Sequence, residues 1–186
     1  MPPRVKVTKE DIVKTALDLV RTGGAEAINA RAIAKELNCS TQPIFSNFSG
    51  MDELKCDLTK RANKTYREYM QREIQRGEYP AYKASGMAYI RFAKEEPQLF
   101  HLLYMRDRSA ENMHEENELN NQMLDYVRLN TGLSGDEAKL FHLEVWAFVH
   151  GIASMLATDF LDLDWDLVSK MLTDAYQGLK KQHSMV

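Results

Sequence analysis

The sequence predicts an all-α chain: a small N-terminal three-helix unit containing a helix-turn-helix, then a larger helical bundle. Apolar residues recur at helical spacing along most of the chain, and no stretch alternates as a strand does. Breakers punctuate it at Gly23-Gly24, Ser49-Gly50, Gly77 to Pro80, Pro97 and Thr131-Gly132. With 186 residues, 44% of them hydrophobic and 27% charged, the chain can bury a core and is too apolar to be disordered. The expected division is 1–50 for the helix-turn-helix unit, 51–76 for a connecting helix and 77–186 for the bundle.

Residues 1–7 read as an arm carrying Arg4 and Lys6. The first helix starts at Thr8, with Asp11 placed for a capping box. Ile12, Val13, Ala16, Leu17 and Val20 form its core face, and Gly23-Gly24 stops it. Asn29 caps the second helix, with Ile28 and Ile33 spaced as a hydrophobic staple. Asn38-Cys39 ends that helix, because asparagine tolerates the left-handed conformation of a tight turn. Ser40 or Thr41 caps a short third helix with Pro43 in its first turn. There Ile44, Phe45 and Phe48 are expected to pack inward, while Thr41, Gln42, Ser46 and Asn47 point out. A helix-turn-helix with a polar second helix suits the DNA major groove. Gln or Asn can pair bidentately with adenine; the competing reading is an ordinary solvated face.

The fourth helix follows Ser49-Gly50, turns Leu54 and Leu58 inward and runs to about Arg76. Helices follow around Tyr82 to Ala93 and from Pro97 to Tyr104. The polar stretch RDRSAENMHEENELNN reads as a loop and a helix start, and that helix ends at Thr131-Gly132. Ser134 caps a long apolar helix, Asp136 to about Phe160, and Trp165 to Leu179 forms the last.

The stretch AIAKELNCSTQPIFSNFSGMDEL closely resembles the DNA-binding signature of tetracycline-repressor-like (TetR-family) transcriptional regulators. The resemblance covers about the first sixty residues, and the remainder in helical layout. It implies a homodimer that sets two recognition helices in successive major grooves, about 34 Å apart. It places DNA contacts at Arg31, Ser40, Thr41, Gln42, Pro43, Phe45, Ser46, Asn47 and Lys55, with Arg31 matching a phosphate contact. The chain departs from the pattern twice. Family members often have Tyr at the position of Phe45 and Lys at that of Met51, so two backbone anchors are missing, and Lys9, Lys55 or the arm is expected to compensate. Residues 1–50 carry a net charge of +2 and the rest −5, so the modest basic excess lies with the helix-turn-helix.

In LEVWAFVHGIASMLATDF, Trp146, His150 and Gly151 resemble a subtype of TetR-family C-terminal domain named for those residues. Phe92, Leu103, Tyr104, Met123, Tyr126, Trp146, His150 and Met155 are the expected ligand-pocket lining; ordinary core packing is the competing reading for each. Small residues Ala147, Gly151, Ser154 and Thr158 permit close helix approach, and with Leu167, Val168, Met171, Leu172 and Leu179 they make the expected dimer interface.

No phosphate loop, nucleophile elbow or metal-ligand spacing occurs, and His114 with Glu115 and Glu116 reads as a solvated acidic stretch; no enzyme activity, cofactor or metal is expected. Cys39 and Cys56 read as unrelated thiols. No apolar run of membrane-spanning length is apparent and no targeting segment is seen, so a cytoplasmic protein without a membrane partner is expected. The expectation is therefore a regulator binding double-stranded operator DNA, most simply a repressor released by a small apolar or aromatic effector. The alternatives are an activator, or a helical small-molecule-binding protein or enzyme with a vestigial helix-turn-helix.

Overall fold

In a computed structural model, residues 7–106 and 114–183 are described, the side chains of 114–118 excepted. The arm residues Arg4 and Lys6, and the side chains of His114, Glu115 and Glu116, lie outside the described set. Nine α-helices and one 3-10 turn make up the described residues, with no strand among them. They are α1 (Lys9–Gly23), α2 (Ala30–Glu36), α3 (Gln42–Asn47), α4 (Met51–Arg76), α5 (Ala81–Glu95), α6 (Pro97–Tyr104), α7 (His114–Thr131), α8 (Gly135–Ala157) and α9 (Trp165–His183). The all-α prediction holds.

Most boundaries follow from local chemistry. Thr8 and Asp11 form the predicted capping box, and Gly24 ends α1 at φ 71°, its N–H bonded to the Val20 carbonyl. Asn29 Oδ1 accepts from the Ala32 N–H at 2.9 Å. Asn38 takes the left-handed turn at φ 52°. Two caps differ from expectation. Neither Thr41, ahead of α3, nor Ser134, ahead of α8, makes a side-chain capping bond. The α8 helix also stops at Ala157, where Asp159 turns the chain at φ 53°, and α9 continues to His183.

The chain forms two compact units, Met1–Arg67 with Glu96–Arg106, and Glu68–Glu95 with Asp107–Val186. The division thus falls inside α4 rather than at either of its ends, and α6 returns to the first unit. In the first unit, α1 packs on α2, α3 and α6. Ile12, Ala16, Leu17, Val20, Ile33, Ile44, Phe48, Leu54 and Phe100 are buried there. Each of these side chains larger than Ala16 contributes about 1.5–3 kcal/mol of transfer free energy.

The second unit is built on α5, which buries residues around most of its circumference, as an interior helix must. Its largest packing surface faces α8, and α8 also packs on α7 and α9. Met70, Tyr82, Met123, Val127 and Phe141 form one core cluster. Two tyrosines of α5 bond two histidines of α8: Tyr82 Oη to His142 Nδ1 and Tyr89 Oη to His150 Nδ1, both at 2.9 Å. These pairs, about two helical turns apart, hold α5 and α8 in register.

One sequence expectation is corrected here. The α8 helix, at 23 residues, is long and apolar enough to cross a membrane. Interspersed polar groups obscure that length in a linear reading. One face of α8 packs inside the unit through Ala138, Phe141, Val149, Ile152, Ala153 and Leu156.

Candidate functional site

The first unit presents α3 on a buried footing. Ile44 and Phe48 are buried, anchoring one side of a six-residue helix. Gln42, Phe45 and Ser46 are exposed on the other side. Phe45 does not pack inward as expected: it is 54% exposed. The helical period explains this, because 44 and 48 are one turn apart and share a face, while 45 is rotated by about 100° from 44. Asn47 is half-buried, and its side-chain amide donates to the Pro43 carbonyl at 2.8 Å. Ser46 Oγ donates to the Gln42 carbonyl at 2.9 Å, leaving the hydroxyl oxygen able to accept. Arg31, Ser40 and Lys55 are exposed, Thr41 and Pro43 half-buried.

Lys9 is committed within the protein. Its ammonium pairs with Glu53 at 3.0 Å and Asp57 at 2.8 Å and lies 4.7 Å from the centroid of the Phe48 ring. The Glu53 carboxylate also accepts from the Ser49 backbone N–H (2.8 Å) and hydroxyl (2.9 Å). The Ser49 backbone N–H, then Lys9, then the Ser49 hydroxyl hold the Glu53 carboxyl down at about 2. This cluster fixes the turn between α3 and α4 to the start of α1. The expected compensation for the missing backbone anchors therefore does not come from Lys9. Arg31 and Lys55 form no ion pair among the described residues and remain available to phosphate.

The second unit contains a cleft of about 300 Å³, lined by α5, the end of α7, α8 and α9. Val145, Val149, Leu172 and Gly86 supply apolar surface; Lys83, Thr173, Gln177 and Asn130 supply polar groups, and Tyr82 and Tyr176 supply rings. A Cβ on Gly86 would stand 3.1 Å from Leu172 Cδ2, so glycine here sets how closely α5 approaches α9.

None of the eight residues expected to line a pocket borders this cleft. Phe92 and Met123 are buried in the core of the second unit. Leu103 and Tyr104 belong to the first unit, where Tyr104 packs on Phe100 and Tyr66. Tyr126 and Met155 are half-buried. Trp146 stacks on His150, with centroids 4.9 Å apart, but is 40% exposed. Periodicity put Phe92, Leu103 and Met123 on inward faces but misplaced Trp146, and it could not separate residues that fill space from those that line this cleft.

The expected dimer residues also divide. Val168 and Leu172 are buried within the protomer, and Leu172 lines the cleft, so neither offers a surface. Leu179 is half-buried against the core cluster. Ala147, Thr158 and Leu167 are exposed, and Gly151, Ser154 and Met171 are half-exposed. Leu140, Leu143 (58% exposed) and Phe148 join them as exposed apolar residues of α8, which the sequence reading missed. Cys39 and Cys56 are both free thiols.

A family model described as tetracyclin repressor-like, C-terminal domain, matches residues 82–175, which hold α5 to most of α9 and every cleft residue except Pro80, Tyr176 and Gln177. The chain belongs to the TetR-like family. Its fold is shared with a protein of unknown function from Rhodococcus sp. RHA1, at 19% identity and a TM-score of 0.74, covering 98% of each chain. It is also shared with a TetR-like transcriptional regulator from the same organism, at 14% identity and a TM-score of 0.65, covering 98% of this chain and 97% of that one. A further transcriptional regulator from Rhodococcus sp. RHA1 aligns at 18% identity and a TM-score of 0.51, over 97% and 96% of the two chains. No curated protein matches the chain in sequence. The TetR-like assignment makes this chain a member of a family of transcriptional regulators.

Burial of the two histidines paired with tyrosines sets a pH response in this TetR-like chain. Burial disfavours their charged forms, so His142 and His150 both titrate below the ordinary 6.5. The unfolded chain therefore takes up protons first as pH falls. Stability is fully present above 6.5 and declines as pH drops from there to the folded-state values, then levels. Urea midpoints measured between neutral and mildly acidic pH should show this fall. A variant with both histidines replaced by glutamine should lose the part of the slope near 6.5; an unchanged slope would assign it to other groups.

Proposed function

We propose that the chain is a homodimeric repressor that binds operator DNA through α3 and is released by a small ligand in the cleft of its second unit. The observation that carries the DNA reading is the exposed, mostly polar face of α3 standing on buried Ile44 and Phe48. Gln42 reads base edges; Ser40, Thr41, Pro43, Phe45, Ser46 and Asn47 shape and contact the groove around it; Arg31 and Lys55 hold phosphates. Phe45, exposed and without a hydroxyl, meets the duplex by apolar contact, such as with a thymine methyl group. The cleft supports the effector reading, because its size lies at the lower end for small-molecule sites and its lining is apolar with a few polar groups. Trp146, His150 and Gly151 support the subtype named for those residues. The exposed apolar residues of α8 and α9 support a two-fold interface. A ligand then acts only through its different affinity for the two bundle states, and DNA must weaken ligand binding by the same factor.

Gel shift against the DNA upstream of its own gene tests the reading. Gln42→Ala should cost about 1–3 kcal/mol of specific affinity and relax discrimination at one base pair, with fold and assembly unchanged. The half-buried Asn47 contributes less, since its amide already bonds the Pro43 carbonyl. Operator affinity unchanged by Gln42→Ala would remove that residue from base reading. Absence of any specific shift would favour the small-molecule-binding alternative.

A further inference from the structure

The cleft holds a positive charge that nothing beside it balances. Lys83 Nζ donates to Ser169 Oγ at 2.7 Å and Thr173 Oγ1 at 2.8 Å, and lies 4.6 Å from the centroid of the Tyr79 ring. Among the described residues, no carboxylate lies within 4.0 Å of it. Two hydroxyls and a ring face solvate an ammonium without neutralising it, and one of its three N–H donors is left over. Some other cations of this protein find acids, as Lys9 does with Glu53 and Asp57, Arg21 with Glu96 and Lys94 with Asp162.

The position of Lys83 adds to the imbalance. It lies in the first turn of α5, where aligned peptide dipoles already favour negative charge, and that turn holds no acidic residue. Burial also lowers the lysine's pKa, as expected for an ammonium short of a counter-ion. The rest of the cleft is apolar where it is formed by Val145, Val149, Leu172 and Gly86. No arginine lines it, so the forked donors suited to phosphate are lacking.

We infer that the ligand of this cleft is a small carboxylate with an apolar body, its carboxylate on Lys83 and its body against Val145, Val149 and Leu172. The inference rests on the cleft being the effector site proposed above, and it names the ligand class. Thr173, already bonded to Lys83, orients the ammonium. The volume restricts the body to about one ring or a short branched chain.

Isothermal titration of the full chain with phenylacetate, phenylacetamide and phenethylamine tests this, because the three probes share a body and differ in charge. Phenylacetate should bind saturably and about tenfold or more tighter than the amide, with the amine weakest. Lys83→Met should abolish the preference for the carboxylate, and Lys83→Arg should retain it; circular dichroism checks that both fold. Equal binding of the acid and the amide, or a preference that survives Lys83→Met, would overturn the role of Lys83. Tightest binding of the amine would overturn the anionic class while keeping the cleft as a ligand site. No saturable binding of any probe would overturn this inference and count against the cleft as effector site, whereas the DNA reading stands or falls separately by gel shift.

Discussion

Gly151→Leu is expected to yield a folded protein that sediments as a monomer at micromolar concentration and no longer binds operator DNA tightly. Within the protomer, a Cβ built on Gly151 meets no atom within 4 Å, so the larger side chain has room in the isolated fold. The proposed two-fold interface has no such room. Gly151 sits among Ala147, Ser154 and Thr158 on the outward side of α8, with Leu140, Leu143 and Phe148 beside them. Small residues at a helix crossing let the backbones approach, and forcing bulk into such a contact costs about 1–3 kcal/mol. Two-fold symmetry repeats the substitution in the partner, so the penalty applies twice. Together these shift the dimerisation constant by at least about thirtyfold. Half-site contacts made by one protomer alone then lose the joint binding that operator affinity needs. Sedimentation velocity with a thermal melt separates assembly from folding. A stable dimer in the variant would place the interface away from this face, and an unfolded variant would mean that α8 is packed more tightly than the glycine environment shows.

Glu73→Met should destabilise the second unit by about 3 kcal/mol, with much of the loss recovered when Arg91→Met is added. Glu73 on α4 is only 2% exposed. Its Oε2 lies 3.0 Å from Arg76 Nη1 and 3.3 Å from Arg91 Nε, and Arg91 stacks 4.2 Å from the centroid of the Trp165 ring on α9. The pairing is imperfect, since Glu73 Oε1 and Arg91 Nε, both buried, have no aligned hydrogen-bond partner. Removing the acid alone leaves the Arg91 guanidinium, whose side chain is 21% exposed, with only the longer 3.6 Å pairing to the more exposed Glu95. Removing both replaces an ion pair that repays its desolvation poorly with two flexible apolar side chains. Recovery should fall short of complete, because the stacking of Arg91 on Trp165, worth about 0.5–1 kcal/mol, is lost as well. Urea unfolding of the two single variants and the double variant gives the coupling directly. Additive losses would show that Glu73 acts through Arg76 or through packing instead.

Much of this protein was settled by interactions within a turn or two of chain. The Thr8–Asp11 box, the Asn29 cap, the left-handed Asn38 and the Pro43 start of α3 are each determined by groups within a few residues of one another. The sequence therefore located the helix-turn-helix, the span of α4 and the inward faces of the first unit with little error. Where helical phase was misjudged, as at Phe45, the fault lay in reading neighbouring aromatics as one face.

The cleft and the state of individual charges depended on distant parts of the chain. Whether Leu172 faces a partner or a void depends on where α5 and α8 stand, and Gly86 helps set that distance. Lys9 looked like a spare cation until Glu53 and Asp57 were brought beside it, while Lys83, unremarkable in sequence, became a charge without an acid. Core-filling and cavity-lining residues have the same apolar character and the same period; what differs is the shape left over where four helices meet. That remainder is a sum over contacts far apart in sequence, so only the tertiary structure decided it.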